Sequence, residues 1–202
     1  MFSGIVAALG AIERVVPLQA GVRLTIEAAA LDLGDVKIGD SIAVNGVCLT
    51  VTSNDTSRFS ADVSRETLDV TVGLAVAGPV NLEKAMALGD RIGGHLVTGH
   101  VDGQGEVVSF EPVGESWRLV MCAPRELGRF IARKGSITID GVSLTVNRVA
   151  DVGEGAQFEV NLIPHTLQVT TLSRLACGAR VNLEIDLLAR YVERLGSAPG
   201  TA

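Results

Sequence analysis

The sequence predicts an all-β protein built from two similar small domains, and three observations lead there. The 202-residue chain is 47% hydrophobic but only 3% aromatic, so burial rests on aliphatic residues, whose β-branched members favour strands. Short runs rich in Val, Ile, Leu and Thr recur along it, punctuated by Gly, Asn-Gly and Asp-Gly, as in the closely spaced strands of a sandwich or barrel. Finally, SIAVNGVCLTV at 41–51 returns as SITIDGVSLTV at 136–146, identical at seven of eleven positions.

The repeat extends in both directions. Ser3-Gly4-Ile5-Val6 matches Thr98-Gly99-His100-Val101 with the same displacement of 95 residues, and Gly10 falls on Gly105. FSADVSRETL (59–68) meets FEVNLIPHTL (158–167), and VNLE occurs at 80–83 and 181–184, with small shifts that fit loop insertions. Two copies are too few for a solenoid, which needs several stacked repeats to bury its faces. The expected units are therefore residues 1–90 and 91–185.

The opening MFSGIVAALGAIERV reads as a first strand, because no basic residue precedes Arg14 and its uncharged run is too short to cross a bilayer. Asn45-Gly46 and Asp140-Gly141 mark type I′ hairpin turns, whose two central residues need positive φ. Past each turn side chains alternate, so Val47, Leu49 and Val51 share one face and Cys48 and Thr50 the other. Val142, Leu144 and Val146 stand in the same way against Ser143 and Thr145. Pro124–Arg133 reads as a short helix with Pro in its first turn, equivalent to EAAALDLG at 27–34. Asp186–Leu195 reads as a helix capped by Asp186, with Leu187, Tyr191 and Leu195 on one face. It ends at Gly196, and residues 197–202 are expected to be a disordered tail. This helix serves either to pack against its own domain or to join subunits, and the pattern does not choose.

Several function classes are excluded. The net charge of -6, the pI near 5.1 and the lack of a basic stripe argue against a nucleic-acid partner. Cys48, Cys122 and Cys177 form an odd set with no CxxC pair, against both a disulfide framework and a zinc cluster and in favour of a reduced, cytoplasmic setting. His95 and His100 are an odd number of residues apart, so in a strand they face opposite ways and make a poor metal chelate. The glycines around them mark bulges or close approaches. GGHLVTGHVDGQG contains no GxGxxG after a strand, and neither a Ser-His-Asp order nor HExxH appears.

On an isolated strand, Cys48/Thr50 and Ser143/Thr145 would be solvent-facing residues. Their recurrence in both halves, beside repeated Ser/Thr-Gly and Thr-Leu segments, points instead to two equivalent small-molecule pockets. The halves differ in their chemistry: Cys48 stands against Ser143, Ile5 against His100, Glu66 against His165, Gly39 against Lys134 and Ala85 against Asp186. A shared scaffold with different acid-base groups suits two roles for one kind of ligand.

MFSGIV, SIAVNGVCLTV, GGHLVTGHVDG, KGSITIDGVSLTVN, NLIPHTL and GARVNLEIDLLARYVERL, in this order from residue 1 to about Leu195, resemble the riboflavin synthase family of the α-subunit type. The resemblance implies two six-stranded Greek-key barrels and a carboxy-terminal helix, 186–196, that assembles a homotrimer. It implies a transferase that dismutates two molecules of 6,7-dimethyl-8-ribityllumazine, with no metal or organic cofactor, as the last step of riboflavin biosynthesis. Each productive site would hold two lumazines, pairing the first barrel of one subunit with the second of its neighbour. Whether a lumazine synthase encloses the trimer is left open.

By the same resemblance, the amino-terminal pocket maps to Gly4, Ile5, Val6, Cys48, Leu49, Thr50, Asp62, Val63, Ser64, Arg65, Glu66 and Thr67. The carboxy-terminal pocket maps to His100, Val101, Asp102, Lys134, Ser143, Leu144, Thr145, Asn161, Leu162, Ile163, Pro164, His165 and Thr166. His100 and Asp186 are expected to move protons, Cys48, Ser41 and Ser143 to act as donors or transient nucleophiles, and Lys134, Thr67 and Thr145 to hold the ring and ribityl chain. His165 stands where some members carry Glu and receives no acid role. The main alternative is a non-catalytic lumazine- or flavin-binding antenna of the same fold, which would be expected to let its second pocket decay. Here Lys134, Ser143, Thr145, His100 and Asp186 all remain. An oligonucleotide-binding barrel needs a basic, aromatic-lined face, which one Trp, one Tyr and a net acidic charge do not supply.

Overall fold

The computed structural model describes residues 1–153 and 155–197. Its strands close into two antiparallel barrels of six. The first is formed by β1 (Ala8–Leu18), β2 (Gly21–Glu27), β3 (Ser41–Val44), β4 (Val47–Asn54), β5 (Arg58–Ser64) and β6 (Gly78–Lys84). The second is formed by β7 (Gly103–Val113), β8 (Ser116–Pro124), β9 (Ser136–Ile139), β10 (Val142–Val152), β11 (Gly155–Leu162) and β12 (Arg180–Ile185). Around each barrel the order is first, second, fifth, fourth, third, sixth, so the duplication read in the sequence is a duplication of topology.

Alternation builds each core. Val47, Leu49 and Val51 point inward with Leu24, Ile26, Phe59 and Leu82, while Val142, Leu144 and Val146 point inward with Met121, Phe158, Val160 and Leu183. Closure requires the strands to bend, and register shifts between Ile12 and Arg14, Val51 and Ser53, Val107 and Ser109, and Val146 and Arg148 supply the bends. They fall at matching places in the two barrels.

The two repeated turns meet. Asn45 and Asp140 take φ of 47° and 46°, and Gly46 and Gly141 take 79° and 81°, the left-handed geometry a type I′ turn demands. Gly46 and Gly141 then lie backbone to backbone, so that a side chain on either would overlap the main chain of the other. Around this contact Asn81 bonds the Asp140 carbonyl (2.9 Å) and Asn182 bonds the Asn45 carbonyl (3.0 Å). The side-chain oxygens of the same two asparagines accept from Thr171 and Val72, both at 2.8 Å.

Four expectations are corrected. The first strand starts at Ala8 rather than at the amino terminus. Residue 2 instead bridges residue 97 of the inter-barrel segment, because the Phe2 ring is fully buried against Ala43, Val97 and Cys48. The helix at 124–133 is cut to α2 (Arg125–Gly128); beyond it, tight turns from Phe130 to Leu127 and from Ile131 to Gly128 bring Leu127 and Ile131 into the core. Its counterpart at 27–34 has turns and no helix, since Leu31 and Leu33 are both drawn inward. In the last helix, Leu187 is half-buried, and the apolar stripe turned to solvent is Leu188, Tyr191, Val192 and Leu195.

Short helices follow the fifth strand of each barrel: α1 (Arg65–Val70), capped by Ser64, and α3 (Pro164–Val169). The last helix, α4 (Leu187–Gly196), is capped by Asp186, whose carboxylate accepts from Leu188 at 2.9 Å. Among the described residues no helix is long and apolar enough to cross a membrane. Residues 198–202 of the expected tail lie outside the described residues; Ser197 closes α4 through a bond to Glu193.

Candidate functional site

The segments preceding the two barrels are exchanged across the molecule. Ser143 of the second barrel donates its main-chain amide to Gly4 (2.7 Å), and Cys48 of the first donates to Gly99 (2.9 Å). Val6 packs on the second core and Val101 on the first. Residues 4–6 therefore stand beside Ser143, and residues 99–101 beside Cys48, the reverse of the grouping by sequence half. Each segment is also tethered to the last strand of its own barrel by a buried carboxylate, so it lies between the two barrels. Glu83 receives the Ser3 amide and hydroxyl (both 2.7 Å) and the Gly4 amide (3.0 Å). Glu184 receives the Thr98 amide (2.7 Å) and hydroxyl (2.6 Å) and the Gly99 amide (2.9 Å). Burial pushes the pKa of both above the usual carboxylate range, against these hydrogen bonds that pull it down. Neither glutamate was singled out in the sequence, although the repeated VNLE contains both.

The result is a cleft of about 220 Å³ lined by Cys48, Glu66, Thr67, Val70, His100 and Val101. Cys48 and Thr67 come from the first barrel and its helix α1, whereas His100 arrives from the second half. Thr67 is fixed at the helix start by Ser64, whose oxygen accepts from the Thr67 amide at 3.1 Å. Cys48 lies on the outer face of β4, half-buried between Phe2 and Gly99.

The equivalent place in the second barrel holds Ser143, whose hydroxyl lies 2.7 Å from Nδ1 of His95. Burial lowers the His95 pKa, and the charge of Asp186 opposes that shift. Asp186, the cap of α4, is thus close enough for its charge to act on His95. His165 and Thr166 lie in α3, the counterpart of α1. In the sequence His95 is read only as a poor partner for His100 in a metal chelate; no spacing rule pairs it with Ser143, 48 residues away.

Other expected site residues are placed less centrally. Leu49, Leu144, Val63 and Leu162 have side chains inside the barrels, leaving only their backbone to face a ligand. Thr50 and Thr145 are exposed on the outer faces, and Ser41 pairs across the sheet with Thr50 but opens on a separate cleft beside Asp40 and Lys84. Asp62 is engaged by Arg23 in a two-pronged ion pair (2.6 and 2.8 Å), while Asn161, its counterpart, accepts from Ser116 (3.0 Å). Asp102 ties α4 to the barrel, receiving Ile185 (2.9 Å) and Arg190 (2.7 Å). Arg65 is exposed at the start of α1, and Ile163 and Pro164 lead into α3. Lys134 is exposed with φ of 67°, where its counterpart Gly39 has 95°. A lysine held in that region costs about 1–3 kcal/mol, and such strain clusters at functional sites. Among the described residues no three metal-ligating side chains converge.

Comparison with known proteins fits this geometry. The lumazine binding domain family matches the chain twice, over residues 3–85 and 98–186. A riboflavin synthase of Mycobacterium bovis is 48% identical over 99% of this chain and 100% of its own length. One of Photobacterium phosphoreum is 43% identical over 96% of this chain and 88% of its own length. Among solved structures, that of LumP complexed with riboflavin superposes with a TM-score of 0.80 at 28% identity, covering 92% of this chain and 99% of LumP.

Proposed function

This chain belongs to the riboflavin synthase family, and on that premise we propose that it dismutates two molecules of 6,7-dimethyl-8-ribityllumazine. A four-carbon unit passes from one to the other, yielding riboflavin and 5-amino-6-ribitylamino-pyrimidinedione, which makes the enzyme a transferase. The observation that carries this is a duplicated lumazine-binding fold whose two equivalent positions differ in their polar groups: Cys48 in a cleft with His100 at one, Ser143 bonded to a His95 that feels the charge of Asp186 at the other. A reaction that gives identical molecules opposite fates needs that inequality.

The 7-methyl protons of the substrate are acidic because the resulting anion spreads into the ring, so a modest base suffices to begin carbon-carbon bond formation. We assign proton transfer to His100 and Asp186, and hydrogen bonding or transient addition near the ring to Cys48, with Ser41 and Ser143 supporting. Lys134, Thr67 and Thr145 would hold the ring and ribityl chain. Stacking two rings supplies much of the acceleration through orientation. The exposed stripe Leu188, Tyr191, Val192 and Leu195 supports assembly through α4 into a trimer that unites the first cleft of one subunit with the second of its neighbour. The free thiols of Cys48, Cys122 and Cys177 support a cytoplasmic setting, in which a lumazine synthase would be the supplier of substrate and a candidate partner.

Incubating the purified chain with the lumazine alone tests this. Flavin absorbance should rise with one riboflavin formed per two lumazines consumed. A tightly bound chromophore that never turns over would support the antenna alternative, which the fold of LumP keeps in view.

A further inference from the structure

His95 is held hard against Ser143. Its main-chain amide donates to Ser3 at 3.1 Å, and the preceding Gly94 passes so close that any side chain there would overlap the Ser143 Cβ and Oγ. The main chain on either side of the imidazole is therefore fixed against Ser3 and Ser143. Its Nδ1 lies 2.7 Å from the Ser143 hydroxyl, while Nε2 is buried and has no hydrogen-bond partner among the described residues.

A neutral imidazole carries one proton, on either nitrogen. On Nε2 that proton would be a buried donor with nothing to receive it, at a cost of about 1–3 kcal/mol. On Nδ1 it is used by Ser143 and leaves only an idle lone pair at Nε2, which is cheaper. Burial lowers the His95 pKa and so favours the neutral ring, with the charge of Asp186 opposing it.

We propose that His95 is a positioning residue for Ser143: the Nδ1–H donates to the serine oxygen, turning the hydroxyl proton outward as a hydrogen-bond donor to the lumazine of the second cleft. A serine so held has no base to take its proton, so it serves as a donor to a ring carbonyl or nitrogen and not as a nucleophile. The first cleft lacks this device. There Cys48 is backed by Phe2 and Val97, which are apolar. The two clefts thus differ in what stands behind the reacting face as well as in what lines it. The proposal rests on Ser143 touching the substrate, as set out above.

The test has two arms, both on the full chain. Nitrogen-15 NMR of histidine-labelled protein, with the His95 signals assigned by their loss in His95→Asn, should show a neutral ring protonated at Nδ1. A proton on Nε2, or on both nitrogens at neutral pH, overturns the proposal. In steady-state kinetics with the lumazine, His95→Asn places an amide N–H where Nδ1–H was and should stay within about twofold of wild type. His95→Gln and His95→Ala should lose about threefold to tenfold, the range of one neutral hydrogen bond. The double variant His95→Ala/Ser143→Ala should be no worse than Ser143→Ala alone. An impaired Ser143→Ala beside an unimpaired His95→Ala sinks the positioning role. An unimpaired Ser143→Ala, with the Nδ1–H tautomer intact, sinks instead the assignment of Ser143 to the substrate.

Discussion

Asn182 of the second barrel donates to the main-chain oxygen of Asn45 in the first at 3.0 Å, and this bond crosses the contact between the two repeated turns. Asn182 also receives the Val72 amide and donates to the Val72 carbonyl, so one side chain anchors both the opposite turn and the chain leaving α1. Asn182→Ala leaves several of these buried groups unpaired, at about 1–3 kcal/mol each. Urea unfolding should therefore show a loss of about 3 kcal/mol or more, and Asn81→Ala a similar one. A loss under about 0.5 kcal/mol would mean that the network is incidental.

Asp140 is buried where the first barrel has Asn45, and burial pushes its pKa up to about 7. The folded state thus keeps a proton that the unfolded chain releases near pH 4, so stability falls as pH rises from about 4 to about 7 and is level above. At about 1.4 kcal/mol per pKa unit the full effect is about 4 kcal/mol. Asp140→Asn keeps the oxygen that accepts from Asn182 and removes the titration. It should be clearly more stable than wild type at pH 8, with the gap narrowing by pH 5. Parallel stability curves for the two proteins across that range would refute the assignment.

Lys134 occupies a left-handed position that its glycine counterpart adopts freely. Lys134→Gly should raise stability by about 0.5–1 kcal/mol and weaken lumazine binding several-fold. Higher stability with unchanged affinity would show that the strain serves no ligand.

Cys48 and His100 line one cleft. Cys48→Ser and His100→Ala are expected to lower kcat far more than they weaken binding of a lumazine measured by fluorescence titration. Equal losses in both would reduce them to positioning.

The stripe on α4 gives the assembly prediction. Leu188→Asp combined with Val192→Asp places charge on an exposed face, so the fold should survive while sedimentation shows a monomer that binds lumazine without turning it over. Full activity in that monomer would overturn the shared site.

The sequence by itself determined the all-β class, the strands flanking the two turns, the turns themselves and the duplication, because these rest on local chemistry. Alternation sets which residues of 47–51 and 142–146 face inward, and the Asn-Gly and Asp-Gly pairs fix the turn geometry. It also marked Cys48, Ser143 and His100 as points where the copies diverge. Only the tertiary structure decided which segment serves which barrel. Glu83 and Glu184 accept backbone amides brought from far along the chain and fix residues 3–4 and 98–99, while the Ser143 and Cys48 amides bond Gly4 and Gly99 of the opposite segment, so His100 joins Cys48 and Gly4 joins Ser143. The same long-range packing set His95 behind Ser143 and drew Phe2 out of the first strand, since burial of a ring or a charge is settled by the whole surrounding shell and not by its neighbours in sequence.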